Sequence, residues 1–173
     1  MTGSDDANGR LEFNLGNAAS TAAVHLSNVR IEKTGYEEIK EDTTKKVLAD
    51  GNYVYNGSFQ EGKNRLGYWD ITKPENATTE VTGLEDGRRL KVVSPKGTVV
   101  TAGQQGLALS EDTEYVLSFS AQANEAETMT VHVAGQKFQA ELTNEKKNYR
   151  FSFHTAADLT DKNISFDLGL GTT

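Results

Sequence analysis

Tyr115-Val116-Leu117-Ser118-Phe119-Ser120-Ala121-Gln122-Ala123 decides the fold class. Successive side chains of an extended chain point to opposite faces, so Tyr115, Leu117, Phe119 and Ala121 share one face and Val116, Ser118, Ser120 and Gln122 the other. An apolar face and a mostly polar one repeating every two residues mark a strand with one side on a core and the other in water. The same period returns downstream. Residues 128–134 set Val131 and Val133 inward and His132 outward, and a further strand follows over 137–142. Tyr149, Phe151 and Phe153 alternate with Arg150 and Ser152, and Ile164, Phe166 and Leu168 mark the last strand. Upstream, residues 90–93 read as a strand after the Asp86-Gly87 turn, and 99–109 as another.

Strand signals at this spacing from Tyr53 onward predict an all-β jelly-roll sandwich. Only residues 36–40 suggest a helical turn. The 173 residues suffice for one sizeable core plus appendages, and 36% hydrophobic content suits a sandwich with solvated outer faces. The net charge of −7 argues against a nucleic-acid backbone or an anionic membrane as partner, and no apolar run has the length of a membrane-spanning helix. With no cysteine, disulfides, thiolate metal sites and a Cys nucleophile are excluded.

The N-terminal third reads differently. Residues 1–9 are polar. Leu11-Glu12-Phe13-Asn14-Leu15 alternates as a strand, and so do residues 23–31, with a phase slip at Ser27-Asn28 that a β-bulge accounts for. Residues 32–50, rich in Glu, Lys, Thr and Asp, are the best linker candidate in the chain. Leu11-Glu12-Phe13-Asn14-Leu15-Gly16 matches Ile164-Ser165-Phe166-Asp167-Leu168-Gly169 position for position, at an offset of 164 − 11 = 153 residues. That is the length of one sandwich domain, and it predicts a tandem array. Residues 1–34 are then the tail of a preceding module, 35–51 a linker, and 52–173 a module lacking its own last strand. Residues 22–33 are expected to fill that slot, within one chain or in a strand-swapped dimer.

Tyr53-Val54-Tyr55-Asn56-Gly57-Ser58-Phe59-Gln60-Glu61-Gly62 reads as a first strand and turn, followed by Tyr68-Trp69-Asp70-Ile71. An Asn-Gly-x-Phe run followed about ten residues later by Trp resembles the opening of the carbohydrate-binding modules of families four, nine, sixteen and twenty-two. Residues 106–123 look like the central strand pair of these modules, and Val24-His25-Leu26-Ser27-Asn28-Val29-Arg30-Ile31 like their closing strand. The resemblance, closest to family four, spans roughly residues 53–169. It implies a secreted or cell-surface, non-catalytic jelly roll that binds a β-glucan chain in a cleft. Neighbouring modules and an attached glycanase are the expected partners.

In such clefts aromatic rings stack on the apolar faces of sugars, and amides, which both donate and accept, bond the hydroxyls. The resemblance places Gln105, His132, Phe138 and Asp167 at cleft positions, Trp69 or its neighbour Thr72 near the first aromatic platform, and Gln104 and Gln136 at the flanks. Asp167 stands where an amide is usual. Plainer roles also exist for these residue types: core for Trp69 and Phe138, solvated surface for Gln104, Gln105 and His132. No cofactor is required. The resemblance implies a structural calcium remote from the cleft, but its acidic position after the Phe is Gln60 here and the Asp of its closing strand is Ser27, which leaves Glu61 or Asp86 to supply carboxylate. A structural spacer without glycan affinity is the alternative function. A hydrolase on the same fold is disfavoured, because His25, His132 and His154 are scattered and the acidic pairs Glu85-Asp86 and Glu111-Asp112 sit in turns.

Overall fold

The computed structural model describes residues 23–33, 45–84, 87–95 and 97–168. The strand read at 11–15, the helical turn at 36–40 and Asp86 lie outside them. Among the described residues there are ten strands: β1 (Ala23–Lys33), β2 (Asp70–Thr72), β3 (Thr78–Thr82), β4 (Arg89–Val93), β5 (Val100–Gln104), β6 (Glu114–Ala123), β7 (Glu127–Val133), β8 (Gln136–Leu142), β9 (Lys147–His154) and β10 (Ile164–Leu168). They form two five-stranded sheets, a front sheet in the order β2-β5-β10-β7-β8 and a back sheet in the order β3-β4-β1-β6-β9. Every pairing is antiparallel. This is the sandwich that the alternation predicts.

The inward faces meet as read from the sequence. Tyr115, Leu117, Phe119 and Ala121 of β6 are buried, as are Val131 and Val133 of β7 and Ile164, Phe166 and Leu168 of β10. Phe119 of the back sheet meets Phe166 of the front sheet edge-on at 5.0 Å, the geometry that ring quadrupoles favour. Each such side chain removed from water contributes about 1.5–3 kcal/mol, offset by its lost conformational freedom.

Three departures have local causes. The expected first strand at Tyr53 is a run of turns: Asn56 and Phe59 take φ of 48° and 54°, and the Asn52 side chain accepts the Val54 amide proton at 3.0 Å. The strand expected over 99–109 stops at Gln104, because the Leu107 amide is bonded to Lys162 O at 2.8 Å rather than to a neighbouring strand. The short strands β2 and β3 escape detection because their Thr- and Glu-rich sequences, Asp-Ile-Thr and Thr-Thr-Glu-Val-Thr, offer little apolar alternation.

The N-terminal segment supplies β1, an interior strand of the back sheet. It pairs with β4 through Ala23 to Leu26 and with β6 from Val24 to Lys33, with a register shift between Ser27 and Arg30. That bulge stands where the sequence slips phase, and Asn28 takes φ of 54° within it.

Candidate functional site

The register of the front sheet lines up its outward side chains in two rows. Asp70, Gly103, Ser165, His132 and Lys137 stand opposite one another across β2, β5, β10, β7 and β8. Thr72, Thr101, Asp167, Thr130 and Gln139 form the next row. Five strands place each row over about 19 Å. Thr101, Thr130 and Ser165 in the middle are buried, whereas Asp70, Thr72, Lys137 and Gln139 at the edges are exposed. Exposed side chains at the two edges thus flank a middle of small, buried polar groups, to which Gly103 adds no side chain, and this stretch of the face is called the trough below.

His132 and Asp167 meet on this floor. Nε2 of His132 lies 3.0 Å from Oδ2 of Asp167, and 42% of the His132 side chain stays exposed.

At the β2 edge lies an aromatic pair. Tyr68, two residues before Asp70, is 54% exposed and takes φ of 69°, an unusual conformation for an aromatic residue. Its ring lies 5.0 Å from that of Tyr55 at 45°. Lys45 sits over the Tyr55 ring at 5.8 Å and donates from Nζ to the carbonyl of Gln105. Burial lowers the Lys45 pKa, and the carboxylate of Asp70 partly restores it. The cluster is braced from below: Gln104 is fully buried, accepts the Tyr55 amide proton at 3.0 Å and donates to the Tyr55 carbonyl at 2.5 Å.

Of the residues singled out from the sequence, His132 and Asp167 share the trough, and Gln105 borders the aromatic pair through its carbonyl. The others are placed elsewhere. Trp69 is 6% exposed, stacks on Phe59 at 5.3 Å and donates its indole proton to the Asn56 carbonyl, so it belongs to the core. Phe138 pairs with inward-facing Val131 and stacks on Phe151 of the back sheet at 5.1 Å, on the face opposite the trough. Gln104 is the buried brace just described. Gln136 faces inward beside Val133 and donates to the His154 carbonyl at the sandwich edge. Sequence reading missed Tyr68, Asp70, Thr101, Thr130 and Ser165. The signal for the floor was present in the polar phase of β10 and β7, but the pairing that assembles the rows is not local.

At the calcium position that the resemblance implies, the described residues supply a single carboxylate, Glu61, and Asp86 lies outside them. Gln60 uses its amide to donate to Ser58 O at 3.2 Å, Ser27 is neutral and buried, and Glu61 is exposed. Among the described residues, no group of three or more His, Cys, Asp or Glu side chains is arranged to hold a metal ion.

What the trough offers chemically is rows of polar groups, mostly hydroxyls and amides with Asp70, Asp167 and Lys137 among them, and one imidazole and one aromatic face at the edge. That arrangement suits an extended, hydroxyl-rich ligand with apolar patches. Compared with known families, residues 51–173 match a model described as a carbohydrate binding domain. Comparison with curated proteins and with solved structures gives no match.

Proposed function

The chain belongs to the carbohydrate-binding domain family, and from that premise we propose that it is a non-catalytic module gripping one β-glucan chain, β-1,3- or mixed-linkage, in the trough of the front sheet. The observation that carries this reading is the pair of polar rows across five strands with Tyr68 exposed at their edge. Tyr68 packs on the apolar face of a sugar ring. Thr72, Gln139 and His132, the accessible members of the rows, exchange hydrogen bonds with hydroxyls, which are two-way partners like themselves. The module acts outside the cell, secreted or at a bacterial surface. It holds an attached glycanase near polysaccharide, raising effective concentration rather than the rate per encounter.

Calorimetric titration of the chain with laminarin, barley β-glucan, xylan and cello-oligosaccharides tests this. Binding to a β-glucan that Tyr68→Ala weakens supports the reading. Binding to xylan alone would move the substrate class.

One observation favours a second reading, that of a spacer keeping the fold without the affinity. With Trp69 and Phe138 interior, Tyr68 is the exposed aromatic among the described residues, and a single platform grips weakly. Silence on all four glycans from a folded chain selects it.

A further inference from the structure

We infer that β1 is a transferable strand, and that the slot it fills in the back sheet accepts β1 from a second copy of this chain. This inference is independent of glycan binding. The slot is a complete strand position: β4 lies hydrogen-bonded on one side and β6 on the other, and Val24, Leu26 and Val29 are buried beneath it. The slot belongs to residues 51–173, which match the family, whereas its occupant lies outside that match.

The matched region is nevertheless shaped to hold the strand. The Val29 amide donates to Gly57 O at 3.3 Å, and Asn52 Nδ2 lies 3.5 Å from Val29 O. A Cβ on Gly57 would stand 2.2 Å from Val29 O, so the turn has given up a side chain for contact with a strand from elsewhere in the sequence.

The sequence echo says where that strand comes from. Residues 164–168 are β10, and the segment that repeats their sequence pattern, 11–15, precedes β1 by seven residues in the sequence. β1 is thus the strand that follows a β10-type segment, yet it serves a sandwich whose own β10 lies about 130 residues further along the chain. A strand with two eligible owners is exchangeable between them. The covalent tie permits this: residues 34–44, that is 44 − 34 + 1 = 11 residues, join β1 to Lys45 and reach at most roughly 40 Å. No cysteine fixes β1 in place. Closure within the chain competes with exchange at the effective concentration of a short linker, on the order of millimolar, which a tandem array or a concentrated refolding mixture matches.

The absence of cysteine makes the test clean. His25 and Gln122 are cross-strand partners, within reach of a disulfide. His25→Cys and Gln122→Cys chains are unfolded together, refolded at about 1 mM and at about 1 µM, and oxidised. The expected result is a disulfide-linked heterodimer at least tenfold more abundant at the higher concentration, and absent when His25→Cys is paired with Ser152→Cys on β9, two strands away. The chain carrying both His25→Cys and Gln122→Cys closes within itself at low concentration. Ser27→Cys with Ser120→Cys, the next outward pair in register, repeats the experiment should the first pair fold poorly. No heterodimer at either concentration, beside an efficiently closing double variant, overturns the proposal. So does equal cross-linking to Ser152→Cys, and so does failure of both double variants to close.

Discussion

Trp69 donates its indole proton to the backbone carbonyl of Asn56 at 2.9 Å, so two residues of the Asn-Gly-x-Phe…Trp run are bonded to each other. Asn56 is the centre of the 56–69 turn. Its Nδ2 donates to the carbonyls of Glu61, Arg65 and Gly67, and its Oδ1 accepts the amide protons of Gln60 and Glu61. One side chain closes a loop that has no ladder of its own.

Asn56→Ala therefore leaves several buried backbone groups unpaired and also places alanine at φ of 48°. The expected cost is about 2–4 kcal/mol, read from urea denaturation, with glycan affinity per folded molecule unchanged. An affinity loss larger than the loss of folded protein would mean that the turn also contacts ligand.

This division of labour explains what was legible in the sequence. Alternation in Tyr115 to Ala123 and in Ile164 to Leu168 exposes the strands and their inward faces, because a period of two is a local property. The slip at Ser27-Asn28 exposes the bulge for the same reason. The trough was not legible, because Asp70, Ser165 and His132 become neighbours only through pairing between β2, β5, β10 and β7. Adjacent aromatics mislead in the same way. Nothing local says that in Tyr68-Trp69 the smaller ring faces water and the larger one the core.

Tyr68→Ala and Trp69→Phe should consequently separate binding from stability. Tyr68 stands exposed over Tyr55, so its removal should leave the denaturation midpoint nearly unchanged and weaken β-glucan binding roughly tenfold. Trp69→Phe loses the bond to Asn56 and part of the stack on Phe59, at about 1–3 kcal/mol, with binding preserved. The reverse pattern in calorimetry would return the platform to Trp69.

Gly57→Ala tests the contact between the turn and β1. The new Cβ meets a backbone oxygen, Val29 O, at 2.2 Å, and backbone cannot rotate aside as a side chain does. Either the turn or β1 must shift. The variant should lose at least about 2 kcal/mol, and amide exchange should accelerate first at β1 and at the facing residues of β4 and β6. Uniform acceleration over both sheets would show that β1 does not open separately.

Glu127 supplies a pH dependence whose sign can be worked out. It is buried at the start of β7 beside inward-facing Leu142, and its Oε1 has no hydrogen-bond partner. Burial, and then the nearby charge of Glu125, push its pKa from 4.5 up to about 7. The folded chain thus holds this proton more tightly than the unfolded chain, so protonation favours folding. The contribution is fully present below about pH 4.5, declines as pH rises towards about 7, and is lost above that. Glu127→Gln keeps the shape without the charge. It should match the wild type in stability near pH 4 and exceed it by about 1–3 kcal/mol at pH 8. His154 acts in a different window. Its bonds to Asp112 and Glu114 raise its pKa above 6.5, so its contribution fades only as pH climbs past 6.5 and through that raised value. Denaturation midpoints at pH 4, 6 and 8 for wild type and Glu127→Gln isolate the carboxyl. A gap that opens between pH 4.5 and 7 assigns the decline to Glu127, and a gap equal at all three values assigns it to packing instead.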